Sequence, residues 1–381
     1  MRNPKTEVAV VKCGDYVQND VDRAVEEAVN LLGGIRRFVK KGDKVLLKIN
    51  LLIGKAPEYA VTTHPTVVRA IIRLIKKAGG LPAVGDSPSA GSLQGFGKSL
   101  EIAGIKKVCD ELNVPTIELD RPIQKRVDGR ITKSFMVSSR LDEFDVIINM
   151  PKLKTHTLTL FTGAVKNLFG CISGRKKGIY HVFAQDAERF SELLLDLNQI
   201  IKPQLNIMDG IIGMDGNGPA AGDPKKMGLI IAGNSALAVD TVAIEIIGMR
   251  KEVPLLRLAQ SRKLEEADLK KIKILGKRLE EVRINDFRRP GAQVISIIPK
   301  WARRLFRYSI LQKPFVNERL CIGCGSCVRI CPKKAITLIN KKPRYDYGKC
   351  IRCYCCQEVC PEKAIFLKDT LGSRILGISG K

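Results

Sequence analysis

The sequence predicts an α/β protein: a mainly parallel sheet with covering helices, followed by a small cysteine-rich C-terminal domain. Three observations predict it. Up to about residue 250, short β-like runs alternate with longer amphipathic segments, the pattern of βαβ units. The composition then shifts to dense Lys and Arg between Arg250 and Lys313. Beyond that, nine of the twelve cysteines fall between Cys321 and Cys360.

Taken in order, Val8 to Val11 reads as a strand, and Val21, Ala24, Val25, Ala28 and Leu32 fall at helical spacing. Val45 to Leu52 is strand-like again. Thr63 or His64 opens a helix with Pro65 in its first turn and an apolar face of Val67, Val68, Ile71, Ile72 and Ile75. Gly79-Gly80 ends it. Ala83 to Gly85 is a short strand, Lys98 to Leu112 a helix, and Thr116 to Leu119 a strand. Val146 to Met150 is apolar throughout, as in strands buried on both faces. The most apolar stretch, Met227 to Met249, contains Asn234, Asp240 and Glu245. It reads as a buried strand followed by a core helix, and no transmembrane segment is expected.

The expected boundaries are an α/β domain at 1–250, a basic helical connector at 251–313, the cysteine-rich domain at 314–368 and a tail at 369–381. Within the connector, Trp301 to Leu311 is amphipathic and expected to pack on one of the two domains.

The cysteines repeat. Cys321-x2-Cys324-x2-Cys327-x3-Cys331-Pro332 recurs as Cys350-x2-Cys353-x2-Cys356-x3-Cys360-Pro361. The x2, x2 spacing lets three thiolates converge on three corners of a cube, and the fourth cysteine, before proline, ligates the other cluster. Two [4Fe–4S] clusters are expected: one held by Cys321, Cys324, Cys327 and Cys360, the other by Cys350, Cys353, Cys356 and Cys331. Zinc motifs pair cysteines differently. Cys355 breaks the spacing and is read as a non-ligand, and Cys13, Cys109 and Cys171 as small buried hydrophobes.

No apolar run followed by a small-residue cleavage site lies between Met1 and Tyr16, and cysteines used for metal rather than disulfides suit a reducing compartment, so the expected location is cytoplasmic. The formal charge is +26, or about +22 with two clusters of roughly −2 each. Residues 314–368 hold 11 Lys/Arg against 4 Asp/Glu, so an acidic redox partner is expected. With aromatics at 5%, the stacking platforms of single-strand binders are missing, and nucleic acid is not the expected partner.

Residues 314–368 resemble the bacterial-type two-cluster ferredoxin fold. Residues from about 5 to 250 resemble the domain-of-unknown-function 362 family, often fused to such modules. The second resemblance is carried by Thr63-His64-Pro65, Gly85-Asp86-Ser87-Pro88, Asn149 through His156, and Gly163-Ala164-Val165-Lys166-Asn167. Asp209-Gly210 through Gly218-Pro219 and Ala238-Val239-Asp240 complete it. The resemblance implies an architecture more than a substrate.

In parallel sheets ligands sit beyond the C-terminal ends of strands. That directs attention past Met150, where Lys152, Lys154 and His156 share one face of an extended segment. With Lys166 and Asn167 they suggest a site for carboxylate or phosphate, and Asp86 is a further candidate to line it. His156, His64 and Lys154 are the candidate acid/base groups, and His181 a weaker one. The loop aspartates Asp209, Asp215 and Asp223 are candidate ligands for a divalent cation. The expected function is an iron–sulfur oxidoreductase acting on a small anionic substrate. The alternatives are a non-enzymatic electron-transfer subunit or adaptor docking an acidic redox partner, and a non-redox isomerase or metallocofactor enzyme with structural or regulatory clusters.

Overall fold

The structure is a computed structural model that describes residues 6–89, 94–290 and 311–370. Strands β1 (Glu7–Lys12), β2 (Lys44–Ile49), β3 (Leu81–Asp86) and β4 (Thr116–Glu118) alternate with helices α1 (Gln18–Leu31), α2 (Pro65–Ala78), α3 (Gly95–Ile102) and α4 (Ile105–Glu111). The single helix expected over 98–112 is broken into α3 and α4 because Gly104 lies between them at φ 71°. A hairpin of β5 (Pro122–Arg126) and β6 (Ser134–Ser138) precedes β7 (Val146–Met150), β8 (Lys152–His156) and β9 (Leu160–Thr162). After α5 (Ala164–Asn167), α6 (Lys177–Phe183) and α7 (Ala187–Ile200) comes the long pair β10 (Leu205–Asp215) and β11 (Asp223–Gly233). Helices α8 (Ala236–Ile246) and α9 (Pro254–Ser261) and strand β12 (Lys273–Gly276) complete the domain.

The main sheet has the order β12-β1-β11-β10-β7-β2-β3-β4, with β8 and β9 branching from β10. Along that path every neighbouring pair is parallel except the two made by β11. The segments that follow β1, β2, β3 and β7 therefore gather at one edge of the sheet, where parallel sheets build their sites. Helices cover both faces. Val21, Val25, Val67, Ile71 and Ile75 pack on one side, and Phe190, Leu194, Val239, Val242 and Leu256 on the other.

The stretch expected as a connector from 251 is partly sheet. Leu255, Leu256 and Ala259 of α9 are buried in the core, and β12 pairs in parallel with β1. Residues 251–290 thus add a helix and an edge strand to the α/β domain. Most of the amphipathic segment expected from Trp301 lies outside the described residues.

In the C-terminal domain β13 (Lys313–Val316) pairs antiparallel with β16 (Ile365–Lys368), and β14 (Ile336–Ile339) with β15 (Lys342–Tyr345). Short helices at Ser326–Ile330 and Cys355–Glu358 mark the two repeats. The backbone repeats as the sequence does: Gly325 and Tyr354 stand at φ 75° and 62°, Lys334 and Lys363 both at 49°. Burial does not repeat. Every residue from 351 to 359 is buried, whereas of 322–330 only Gly325, Ser326 and Cys327 are. The second repeat is the half that meets the α/β domain.

Two of the motifs quoted above explain each other. Asp240 of α8 accepts hydrogen bonds from the backbone N–H groups of Ala164 and Val165, at 2.5 and 2.9 Å, and so holds the first turn of α5, which carries Lys166 and Asn167. Gly163 is required because a Cβ there would lie 2.1 Å from Asp240 Oδ1 and 2.6 Å from the Phe161 ring. Gly163→Ala should destabilise the protein by about 1–3 kcal/mol, read as a lower urea midpoint. An unchanged midpoint would contradict this packing.

Candidate functional site

The strand β8 carries the site. It leaves the sheet at Pro151 and runs out beyond the C-terminal edge, pairing with β10 and β9. Lys152, Lys154 and His156 share one face, as the alternation expects, and all three are buried. Each meets a different partner.

Lys152 donates to Asp209 Oδ2 at 2.8 Å and to the Tyr16 hydroxyl at 2.7 Å. Tyr16 in turn donates to Asp209 Oδ1 at 2.9 Å. Its ring stacks on His64, with centroids 3.5 Å apart. The backbone N–H of His64 completes the set by donating to Asp209 at 3.0 Å. Burial lowers the Lys152 pKa, and Asp209 opposes that. His64 caps α2: its Nδ1 accepts from Thr66 N at 3.3 Å and lies 2.8 Å from Thr66 Oγ1. Burial takes its pKa down to about 4, so the ring is neutral.

Lys154 has no carboxylate in ion-pair contact among the described residues. Its ammonium donates to the carbonyl of Val61 at 2.7 Å. Burial holds its pKa well below the ordinary lysine value, and Lys166 and Lys152 push the same way. Lys166, half-buried on α5, makes no hydrogen bond or ion pair among the described residues. Burial lowers it too, against Glu358 and Cys355.

His156 marks the junction with the C-terminal domain. Its Nδ1 accepts from the backbone N–H groups of Leu158 and Thr159, at 3.0 and 3.3 Å, which places the proton of the neutral ring on Nε2. Nε2 lies 3.1 Å from Glu358 Oε1. The approach is too oblique for a hydrogen bond and leaves both atoms without one, so we treat the contact as charge–dipole. Burial, then Lys166, takes the His156 pKa down to about 4. Glu358 falls to about 2 because His156 and Lys166 outweigh the cost of burying it. His181 stacks on Phe190 at 4.6 Å, and its buried Nδ1 has no hydrogen-bond partner among the described residues.

Further contacts fix the domains together. Thr157 Oγ1 lies 3.1 Å from Gln357 Oε1, Lys55 donates to Pro361 O at 2.5 Å, and Lys363 donates to Gly222 O at 3.0 Å. Cys353 and Cys355 pack with Val182 of α6.

Several expected residues have other employment. Asp86 is ion-paired with Lys48 at 2.8 Å and accepts from Leu51 N and Ser87 N. Asn167 donates to the carbonyls of Lys48 and Ile49 and to Asn149 Oδ1. Both organise the strand ends. Asp209 is taken by Lys152, and Asp215 and Asp223 are both paired with Arg288. Their expected role as cation ligands is corrected on that ground. Tyr16, Lys48 and Glu358 were not anticipated. A lysine inside the apolar run of β2 was a signal for the second. Glu358 stands where the first repeat has Arg329, a departure that comparing the repeats exposes.

The cysteines fit the expected cofactor. Cys321, Cys324, Cys327 and Cys360 together line one cavity, so the fourth thiol crosses from the second repeat. Burial, with Cys324, Cys360 and Cys321 adding to it, pushes the Cys327 thiol up to about 11. Cys350 is raised by burial and by Cys353 and Cys331, the reciprocal crossing. Among the described residues no group of three or more His, Cys, Asp or Glu is arranged to hold a metal ion directly. The four thiols that line the cavity are the residue type that would hold a cluster. Cys13, Cys109 and Cys171 are buried in the α/β domain as expected.

Comparison with known proteins agrees with this division. Residues 45–245 match a family described as "Domain of unknown function (DUF362)", and residues 313–361 match a 4Fe-4S dicluster domain. A thylakoid-associated protein of Synechocystis sp. is 38% identical over 241 residues, 63% of this chain and 74% of that protein. Among solved structures, the lactate racemase apoprotein from Thermoanaerobacterium thermosaccharolyticum aligns with a TM-score of 0.41 at 11% identity. That alignment covers 62% of this chain and 56% of the other. Among the described residues no helix is long and apolar enough to cross a membrane.

The pairing pattern separates two lysines experimentally. Lys152→Met strands Asp209 and should cost about 3–5 kcal/mol. Lys154→Met removes an ammonium with no carboxylate partner and should cost less than about 1.5 kcal/mol. Denaturant unfolding of the two variants reads the difference, and equal losses would contradict the assignment.

Proposed function

The chain belongs to the domain of unknown function (DUF362) family, and from that premise we propose a cytosolic iron–sulfur oxidoreductase acting on a small anionic substrate. Iron–sulfur electron transfer in general follows from the matched 4Fe-4S domain. The finer reading assigns one [4Fe–4S] cluster to Cys321, Cys324, Cys327 and Cys360, and a second to Cys350, Cys353, Cys356 and Cys331. When bound, these groups supply one-electron transfer. The relative's association with thylakoids is accommodated by peripheral binding of a basic protein beside an electron-transport membrane.

One observation carries the proposal. The second cysteine repeat is buried against the basic strand β8, with Glu358 3.1 Å from His156, while the first repeat faces outward. In this reading Lys166 supplies positive charge to a carboxylate or phosphate. Lys154, its pKa depressed by burial, gives up a proton from Nζ. His156 presents its Nε2 proton, its ring fixed by the two N–H groups that hold Nδ1. His64 and Tyr16 orient Lys152. The docked domain keeps water out.

The closure of the site supports a second reading, a non-enzymatic electron-transfer subunit. Lys152, Lys154 and His156 are no more than 1% exposed, and among the described residues no cavity opening onto them stands out. Mass spectrometry of protein purified without oxygen separates the two readings: a retained small anion supports the enzyme, and its repeated absence the subunit.

The relay itself is tested by iron and sulfide counting, with about eight irons expected. Cys324→Ala should lower the iron content and abolish electron exchange with an external carrier, while anion binding survives. Turnover that persists in this variant without its cluster would contradict the relay.

A further inference from the structure

We propose that the outward-facing first repeat is a docking surface for an acidic redox protein, centred on the loop from Cys321 to Gly325. The proposal rests on the electron-transfer reading above and deepens it by naming the surface and the partner's chemistry.

The two repeats share a backbone and differ in what they show to solvent. Leu320, Ile322, Leu338 and Ile339 are 44%, 65%, 42% and 55% exposed. Ile322 and Leu338 line the cavity formed with Cys321, Cys324, Cys327 and Cys360, so part of this apolar surface borders those thiols. Around it the charge is mostly positive, with the exposed Glu362 on the cavity wall as the exception. Residues 318–349 contain eight Lys/Arg and two Asp/Glu, and both acids are matched locally, Glu318 by Arg344 and Asp346 by Lys349. Lys341 packs against Gly323. Lys342 donates to Cys321 O at 2.8 Å, and Arg329 to Cys324 O at 3.1 Å. An apolar centre with a charged rim is the anatomy of a transient protein interface. A rim of positive charge selects and steers a negative partner. A lipid surface would satisfy the charge but brings no redox centre to the thiols. An acidic electron carrier satisfies both.

The test is anaerobic stopped-flow reduction of the iron-loaded full chain by a reduced acidic flavodoxin, with dithionite as a small reductant for comparison. The flavodoxin rate constant should fall at least ~10-fold between about 20 and about 300 mM salt. At low salt Arg319→Glu/Lys341→Glu should lower it by about 10-fold, and Ile339→Ser should lower it further. Iron content and dithionite reduction should not change. The matched Lys12→Glu/Lys107→Glu variant, remote from the patch, should behave as the parent. An unaffected rate in Arg319→Glu/Lys341→Glu overturns the surface. So does a salt-independent flavodoxin rate accompanied by binding to anionic phosphatidylglycerol vesicles. Fully iron-loaded protein that dithionite cannot reduce would overturn the electron-transfer reading itself, and this proposal with it.

Discussion

The C-terminal edge of the sheet is organised by lysine ammonium groups taken out of water. Removing an ammonium from water costs several kcal/mol unless a counter-charge meets it. Asp86 answers Lys48, and Asp209 answers Lys152, each at 2.8 Å. Among the described residues Lys154 hydrogen-bonds the carbonyl of Val61 and feels Glu358 and Asp86 at longer range, and Lys166 feels Glu358 and Cys355 of the C-terminal domain. That domain therefore completes the electrostatics of the site. Its docking, through Glu358, Gln357, Pro361 and Lys363, is part of how the α/β domain tolerates so much buried positive charge.

Much of this was legible in the sequence, for identifiable reasons. Strands and helices with clear apolar periodicity appear where expected: β7 spans Val146–Met150, and α2 starts at Pro65 after its His64 cap. The alternation of Lys152, Lys154 and His156 survives because β8 is extended. What was not legible depends on contacts distant in sequence. Tyr16 and Asp209 are 193 residues apart, and His156 and Glu358 lie in different domains. The edge strand β12 was hidden by Lys273 and the lysines that flank it, Lys270, Lys271 and Lys277, which an exposed edge accommodates. Asp86 and Asn167 were read as binding groups, but their roles could be told only from partners the sequence does not display.

The duplicated C-terminal domain shows how a symmetric backbone acquires direction. Gly325 and Tyr354 share the left-handed conformation, yet Tyr354 is a buried side chain packed into the large core. Val328 and Arg329 correspond to Gln357 and Glu358. At those positions one repeat became an inward face and the other stayed outward. Residues of the matched segment divide similarly. Gly163 and Asp240 build the turn that carries Lys166, while Lys154 and Lys166 themselves remain short of counter-charge. A structural frame and a chemical centre are thus written in the same short motifs.

The central claim is that the buried lysines and the second repeat form one electrostatic unit. Redox titration of the iron-loaded protein, followed by electron paramagnetic resonance, tests it most directly when parent and Lys166→Met are compared. Removing this cation, which feels Glu358 and Cys355 of the second repeat, should lower the midpoint potential of one cluster and leave the other unchanged. Two unshifted potentials, or two that move together, would contradict the account.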